Sequence, residues 1–293
     1  MATAAQWLEG ARPRTLPAAV APVAVGAGLG AWAGAFDLVR VLLALAVAVL
    51  LQVGVNYAND YSDGVKGTDA ARVGPVRLVG QGLAPATHVK RAAYLSLGAA
   101  ALTGLVLVAV VGEWWLLIVG AASIAAAWLY TGGPRPYGYA GLGEVFVFVF
   151  FGLVPVVGTA YVQTLTITAV DILASIGVGL LSCAILVTNN LRDIPTDTVT
   201  GKHTLAVRLG DERTRMLYAV LVTGALIVPI LLAPATSPWT ALALLTGVLA
   251  YGPIRVVLGG ATGPALIPAL KGTGLLLLAY GLVLGGLLAI SGG

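Results

Sequence analysis

Cysteine occurs once in this chain, at Cys183, and histidine twice, at His88 and His203. One thiol excludes an intrachain disulfide and a cysteine-built zinc site. Two scattered imidazoles are too few for a histidine metal centre. Charge is scarce as well. Asp, Glu, Lys and Arg make up 10% of the 293 residues, against about 25% in an ordinary soluble domain. Aromatic residues are only 7%, while 59% of the chain is hydrophobic, 39 residues are Gly, and the mean hydropathy is +0.97. This is the composition of an integral membrane protein whose helices approach closely through small residues. The net charge of +4 does not imply a nucleic-acid partner, because topology accounts for where the cations lie.

Apolar runs recur at 16–35, 38–62, 89–111, 114–131, 144–164, 169–193, 213–233, 238–257 and 270–290. At about 1.5 Å rise per residue, each is long enough to cross a bilayer core as a helix. The expected fold is therefore all-α, an integral membrane bundle of nine transmembrane helices, with residues 1–293 forming a single domain. The head, residues 1–15, holds Trp7 and Leu8 near Arg12 and Arg14, as an interfacial half-helix would. With the amino terminus in the cytoplasm, fifteen of the sixteen basic residues fall on the cytoplasmic side and only Arg40 lies opposite. The other face collects Asp37, Glu113 and Asp171. This obeys the positive-inside rule.

Two polar stretches close apolar runs on that same side. The first is Asn56-Tyr-Ala-Asn-Asp60-Tyr-Ser-Asp63; the second is Asn189-Asn-Leu-Arg-Asp193-Ile-Pro-Thr-Asp197. Within a continued helix, Asn56, Asp60 and Asp63 share one face, as do Asn189, Asp193 and Asp197. The Asn56–Asp60 and Asn189–Asp193 pairs lie 133 residues apart at both positions. Four helices separate them, so both point the same way, as in a parallel repeat. Carboxylates bordering hydrocarbon are costly unless paired or metal-bound, which makes them functional candidates. Carboxylate and amide oxygens are hard ligands suited to Mg2+, which also takes phosphate oxygens. The expected metal ligands are thus Asn56, Asp60, Asp63, Asn189, Asp193 and Asp197, and the four aspartates are the catalytic candidates. Cations follow each motif: Lys66, Arg72 and Arg77 after the first, Arg192, Lys202 and Arg208 within or after the second. They are the expected diphosphate contacts. A third polar patch, between the fourth and fifth runs, is rich in Gly and Pro and holds Tyr130, Arg135, Tyr137, Tyr139 and Glu144. It is the candidate acceptor pocket, with Arg135 facing an acidic acceptor.

Taken together, these motifs resemble those of the UbiA-type intramembrane prenyltransferases. The likeness also rests on Ala11-Arg-Pro-Arg-Thr-Leu-Pro17, on Asn59-Asp-Tyr-Ser-Asp-Gly-Val-Lys-Gly-Thr-Asp69, on Gly132 to Glu144, and on Gly201-Lys-His-Thr-Leu-Ala-Val-Arg-Leu-Gly210. One departure stands out. Many members carry an aspartate four residues beyond the position of Asp63, where this chain has Gly67, with Asp69 nearby. The resemblance implies helices around a central cavity, dependence on Mg2+, a polyprenyl diphosphate donor and an aromatic acid acceptor. Within the family it is strongest to the branch that prenylates and decarboxylates 1,4-dihydroxy-2-naphthoate in menaquinone synthesis. Prenylation of 4-hydroxybenzoate or homogentisate is the alternative inside the fold. From a different class, a cation-coupled transporter would use the carboxylates as a midspan ion site, but the motifs sit at span ends beside basic loops. The expected setting is the plasma membrane of a prokaryote, with the site facing the cytoplasm and no required protein partner.

Overall fold

The computed structural model describes residues 2–67 and 76–292, and these are helical with no strand among them. Helix α1 (Ala4–Gly10) opens with a Thr3 capping box, in which Thr3 and Gln6 satisfy each other's backbone N–H groups. Arg12 then takes a left-handed backbone, φ 55°, before a 3-10 turn over Pro13–Thr15. Helix α2 (Pro17–Trp32) starts on a proline, which needs no N–H partner there. The axis bends by 47° between Ala4–Thr15 and Pro17–Trp32. The head thus leaves the line of α2, and Tyr57 ties it down by donating its hydroxyl to Trp7 O at 2.9 Å.

Helix α3 (Leu38–Lys66) is capped by Asp37 and ends at Gly67 in the left-handed region. Then come α4 (Ala86–Val111), α5 (Leu116–Leu129), α6 (Gly143–Thr164) and α7 (Ala169–Val199). A short α8 (Leu205–Leu209) leads into α9 (Asp211–Leu232), α10 (Pro238–Leu258) and α11 (Ile267–Ser291). Seven of these are long and apolar enough to cross a bilayer, the bent amino-terminal pair makes an eighth, and α5 is a shorter apolar helix in the ninth expected place. Two of the long helices exceed what a bilayer needs. α3 has 29 residues and α7 has 31, or about 44 and 46 Å at 1.5 Å per residue, against a hydrocarbon core of about 30 Å. The surplus turns carry the two polar motifs out of the hydrocarbon.

The main core joins α2, α6, α7, α9, α10 and α11 around Val25, Val156, Leu181, Tyr218, Leu277 and Leu284. α2 packs on α11 at backbone contact: a Cβ on Gly28 would lie 2.6 Å from the Cα of Gly285. Within α6, a π-helical turn over Val149–Leu153 precedes Pro155. Proline has no N–H for the ladder and its ring crowds the carbonyl four residues back, so the ladder widens there. A second, smaller cluster around Tyr57, Leu78, Val89 and Ala93 joins α3 to α4. α7 is the pillar, with 61% of its apolar window buried, whereas α3 buries 17% and α4 22% of theirs. The wall formed by α3, α4 and α5 stands off the pillar, and the space between them is the cavity. Leu95, Leu102, Ile118, Val220, Leu245 and Ile290 are exposed on the outer surface, where lipid tails replace water as the solvent. Trp114, Trp115 and Trp239, also exposed, stand at the helix ends remote from the motifs, the interfacial position typical of tryptophan.

Candidate active site

One cavity of about 940 Å³ runs from the motif ends of α3 and α7 down between the helices. Its lower walls are apolar, with Val47, Leu51, Val108, Ile124, Phe151 and Val162 among the lining residues. Its upper end is polar. There Asn59 and Asp63 of α3 meet Asn189, Asp193 and Asp197 of α7, together with Arg77, Arg192 and Lys202.

Asp63 is the meeting point. Tyr139 donates its hydroxyl proton to Oδ1 at 2.5 Å, Lys202 Nζ lies 3.4 Å from Oδ1, and Arg77 Nη2 lies 3.7 Å from Oδ2. Lys202 also sits over the Tyr139 ring, 4.6 Å from its centroid. On α7, Arg192 grips the neighbouring Asp193 with both prongs, Nε to Oδ1 at 2.7 Å and Nη2 to Oδ2 at 2.8 Å. The same Nη2 donates to Asn189 Oδ1 at 2.9 Å. Each motif thus carries its own cation, and Lys202, just past α7, crosses to the carboxylate of α3. Buried charges need such partners, because desolvating either ion alone costs several kcal/mol or more.

The sequence holds two N-x-x-x-D registers in the first motif, Asn56–Asp60 and Asn59–Asp63, and the structure directs the second at the cavity. Asp60 is fully buried but does not line the cavity. Its Oδ2 accepts from the backbone N–H of Leu78 at 2.7 Å, and its Oδ1 from that of Val79 at 3.1 Å. With both oxygens so engaged, Asp60 anchors the returning loop and sets Arg77 beside Asp63. This corrects the expectation that it lies with the ligands. Asn56 does line the cavity, yet its amide nitrogen donates to Ala11 O and Thr15 Oγ1, both at 2.9 Å. It holds the Arg12–Thr15 hook against α3. Asn59, which the first register passes over, lines the cavity and accepts from Thr131 Oγ1 at 2.9 Å. Its spacing to Asp63 equals that of Asn189 to Asp193, a signal present in the sequence.

The expected cations separate likewise. Arg77, Arg192 and Lys202 line the cavity. Lys66 is exposed and spends its ammonium on the carbonyls of Thr131, 2.7 Å, and Gly133, 3.3 Å. Arg208, also exposed, donates to His203 O and Ala140 O at 3.2 and 2.9 Å. Both therefore fasten the loop between α5 and α6 instead of facing the cavity. Arg72 and Asp69 lie outside the described residues. Arg12, Arg14 and Lys271 line the cavity without having been expected there. All three follow or precede a proline-marked helix start, which only the fold brings to the rim.

In the α5–α6 loop, Tyr130, Tyr137 and Tyr139 line the cavity. Tyr137 donates its hydroxyl to Ala126 O at 2.7 Å, and burial pushes the phenol well above its ordinary pKa, so it stays a donor. Arg135 is exposed and away from the lining, which corrects its expected place opposite the acceptor. Glu144 is buried behind the wall, bonded to Asn190.

Among the described residues no three His, Cys, Asp or Glu side chains converge as a ready metal cluster. The donor set is instead amides and carboxylates divided between two helix ends, all hard oxygens. It fits a divalent cation that takes part of its coordination from water or from a bound phosphate, as Mg2+ does.

Long apolar helices around a cavity with acid–amide motifs and cations at one end define an integral membrane protein with an amphipathic internal cavity. More specifically, the chain belongs to the UbiA prenyltransferase family, whose model matches residues 19–262. It is 55% identical over 292 residues to the 1,4-dihydroxy-2-naphthoate octaprenyltransferase of Mycobacterium tuberculosis, covering 99% of this chain and 98% of that one. To the enzyme of that name from Escherichia coli it is 44% identical over 278 residues, covering 91% and 89%. Among solved structures it resembles a UbiA homolog from Archaeoglobus fulgidus bound to DMAPP and Mg2+, with a TM-score of 0.68 and 16% identity, covering 95% of this chain and 99% of that one. At that identity the likeness speaks for the fold alone.

Proposed function

We propose that the protein transfers a polyprenyl group from a polyprenyl diphosphate to 1,4-dihydroxy-2-naphthoate, releasing diphosphate and carbon dioxide. The observation that carries this reading is the single cavity joining a polar end, with Arg77, Arg192 and Lys202, to a long apolar interior. It suits a donor that is anionic at one end and hydrocarbon along the rest. Identity of 55% over nearly the whole length to a relative named for this activity supports the choice of acceptor.

In the proposed reaction the allylic C–O bond breaks and its electron pair leaves with the diphosphate. Arg77, Arg192 and Lys202 would hold the charge that develops on it, the kind of preorganised electrostatic stabilisation that contributes most to such steps. Asn59, Asp63, Asn189, Asp193 and Asp197 would hold Mg2+, which when bound supplies Lewis-acid neutralisation of the phosphate oxygens. The apolar walls keep water from the allylic cation, and the electron-rich ring attacks it. Net, the prenyl group takes the place of the ring carboxylate, which departs as carbon dioxide and leaves its electron pair in the ring. The polar end of the cavity faces the cytoplasm of a prokaryotic cell in this proposal, because the cations gather there.

The test is to incubate purified protein and Mg2+ with a polyprenyl diphosphate and a panel of aromatic hydroxy acids. The expected product is the prenylated, decarboxylated naphthoquinol. Prenylation of 4-hydroxybenzoate alone would overturn the acceptor, and no prenylated product at all would overturn the reaction.

A further inference from the structure

Glu144 has no part in the chemistry described above, yet it is a carboxylate placed in an apolar wall. It is 9% exposed, opens α6, and packs against α7. Its backbone carbonyl accepts from Cys183 Sγ at 3.2 Å, and its Oε1 accepts from Asn190 Nδ2 at 3.0 Å. Its other oxygen, Oε2, has no hydrogen-bond partner among the described residues, and neither has the buried hydroxyl of Ser182. Ser182 and Asn190 both line the cavity. Buried polar atoms are nearly always bonded, so an unsatisfied group of this kind calls for an explanation.

The Asn190 amide gives the carboxylate a use through its other oxygen, Oε1. With Nδ2 committed to Glu144, its carbonyl oxygen remains for whatever occupies the cavity. Tyr137 and Phe146 stack with centroids 3.8 Å apart and planes at 19°, and Phe150 continues the stack at 6.0 Å from Phe146. All three rings line the cavity, and Phe146 lies two residues beyond Glu144 at the start of α6. A flat aromatic wall and an oriented hydrogen-bond acceptor lining one cavity fit a flat ligand with a hydroxyl on its edge.

We propose that this wall is the acceptor seat, and that Glu144 is a positioning residue which turns the Asn190 amide so that its Oδ1 accepts a hydrogen bond from a ring hydroxyl. The assignment rests on the prenyl-transfer reading above and names the part of the cavity that takes the aromatic substrate. It places that substrate on the α6–α7 wall and not at Arg135, the cation singled out by sequence.

The experiment uses full-length protein in lipid nanodiscs, with acceptor KM, donor KM and binding of polyprenyl diphosphate measured separately. Glu144→Leu removes the partner of the Asn190 N–H, and acceptor KM should rise about tenfold, the effect of roughly 1.4 kcal/mol. Donor KM and diphosphate binding should stay within about twofold, which also reports that the variant is folded. Glu144→Gln keeps an oxygen facing Asn190 and should remain within about threefold of the wild type, since a neutral acceptor substitutes for one hydrogen bond. Asn190→Leu should show the same split, and the double variant Glu144→Leu/Asn190→Leu should be no worse than Asn190→Leu alone, because the two act as one unit. A rise in donor KM equal to that in acceptor KM, an unchanged acceptor KM, or a Glu144→Gln variant as impaired as Glu144→Leu would each overturn the assignment. If the wild-type protein prenylates no aromatic hydroxy acid, the function proposed above falls and this assignment falls with it. A working wild type whose variants do not separate sinks this assignment alone.

Discussion

At the scale of single residues, Asp60 and Asp63 show how position decides the role of chemically identical groups. Both are buried carboxylates on α3, three residues apart. Three residues along a helix leave two side chains only about 60° apart around the axis, so what separates them is their surroundings: the Leu78–Val79 backbone takes Asp60, and Asp63 lines the cavity. Asp63→Asn removes the charge that Lys202 and Arg77 share and that the proposed Mg2+ would share, and the turnover rate should fall by about two orders of magnitude, as when one preorganised electrostatic group is lost. Asp60→Asn keeps an oxygen for one of the two backbone N–H groups, and should retain more than about a tenth of the rate. Asp60→Leu orphans both donors, at about 1–3 kcal/mol each, and should lower the melting temperature in detergent. Single-turnover rates and melting curves on the three variants check this. Equal rate losses for Asp60→Asn and Asp63→Asn would restore Asp60 to the catalytic set. Arg135 is the converse case. Being exposed, Arg135→Leu should leave acceptor and donor KM within about twofold of wild type, and a selective rise in acceptor KM would show that the loop folds inward when substrate binds.

At the scale of elements, helix length and helix contact do separate jobs. The surplus turns of α3 and α7 put polar side chains beyond the hydrocarbon, where ions are affordable. Contact between α2 and α11 closes the bundle around them. In lipid that contact gains little from hydrophobicity and depends on close backbone approach through small residues. Gly28→Leu would drive a side chain into the backbone of Gly285. Overpacking of this kind costs about 1–3 kcal/mol, so the variant should melt at lower temperature while residual folded protein keeps its donor KM. At Gly34, where a Cβ would meet nothing within 4 Å but φ is +71°, the cost of a side chain comes from backbone strain alone. A Gly28→Leu protein as stable as wild type would mean that α2 and α11 do not meet as described.

At the scale of the whole molecule, the site exists only if α3 and α7 end on one side of the membrane. In a Cys183→Ser background, single cysteines at Ala140 and Thr200 should react with a membrane-impermeant maleimide from the cytoplasmic side. Cysteines at Thr166 and Ala235 should react only from the other. All four positions are exposed, so accessibility is set by the membrane and not by packing. Ala140 and Thr200 on opposite sides would separate the two motifs and end any account with a shared site.

Much of this architecture is written in the chain. Hydrophobic runs of bilayer length dictate helices, because no other open structure satisfies its backbone in lipid. The placement of Lys and Arg gathers the charges at one end of the bundle, the basis for the proposed cytoplasmic orientation. The pairing of Asn189 with Asp193, Asp197 and a neighbouring Arg192 is equally local, being settled by helical spacing. Tertiary structure decided the rest. Periodicity alone does not say which face of α3 meets a partner, so it leaves Asn56–Asp60 and Asn59–Asp63 as rivals until the loop at Leu78 and Val79 claims Asp60. Nor does it tell a lysine that binds a ligand from one that ties a loop: Lys66 and Lys202 differ in which carbonyls and carboxylates the fold sets within reach. Glu144 and Asn190 come together across α6 and α7, 46 residues apart in the chain. Contacts at that separation depend on how two helices pack, and packing is a property of the surfaces that meet, which one-dimensional spacing does not contain.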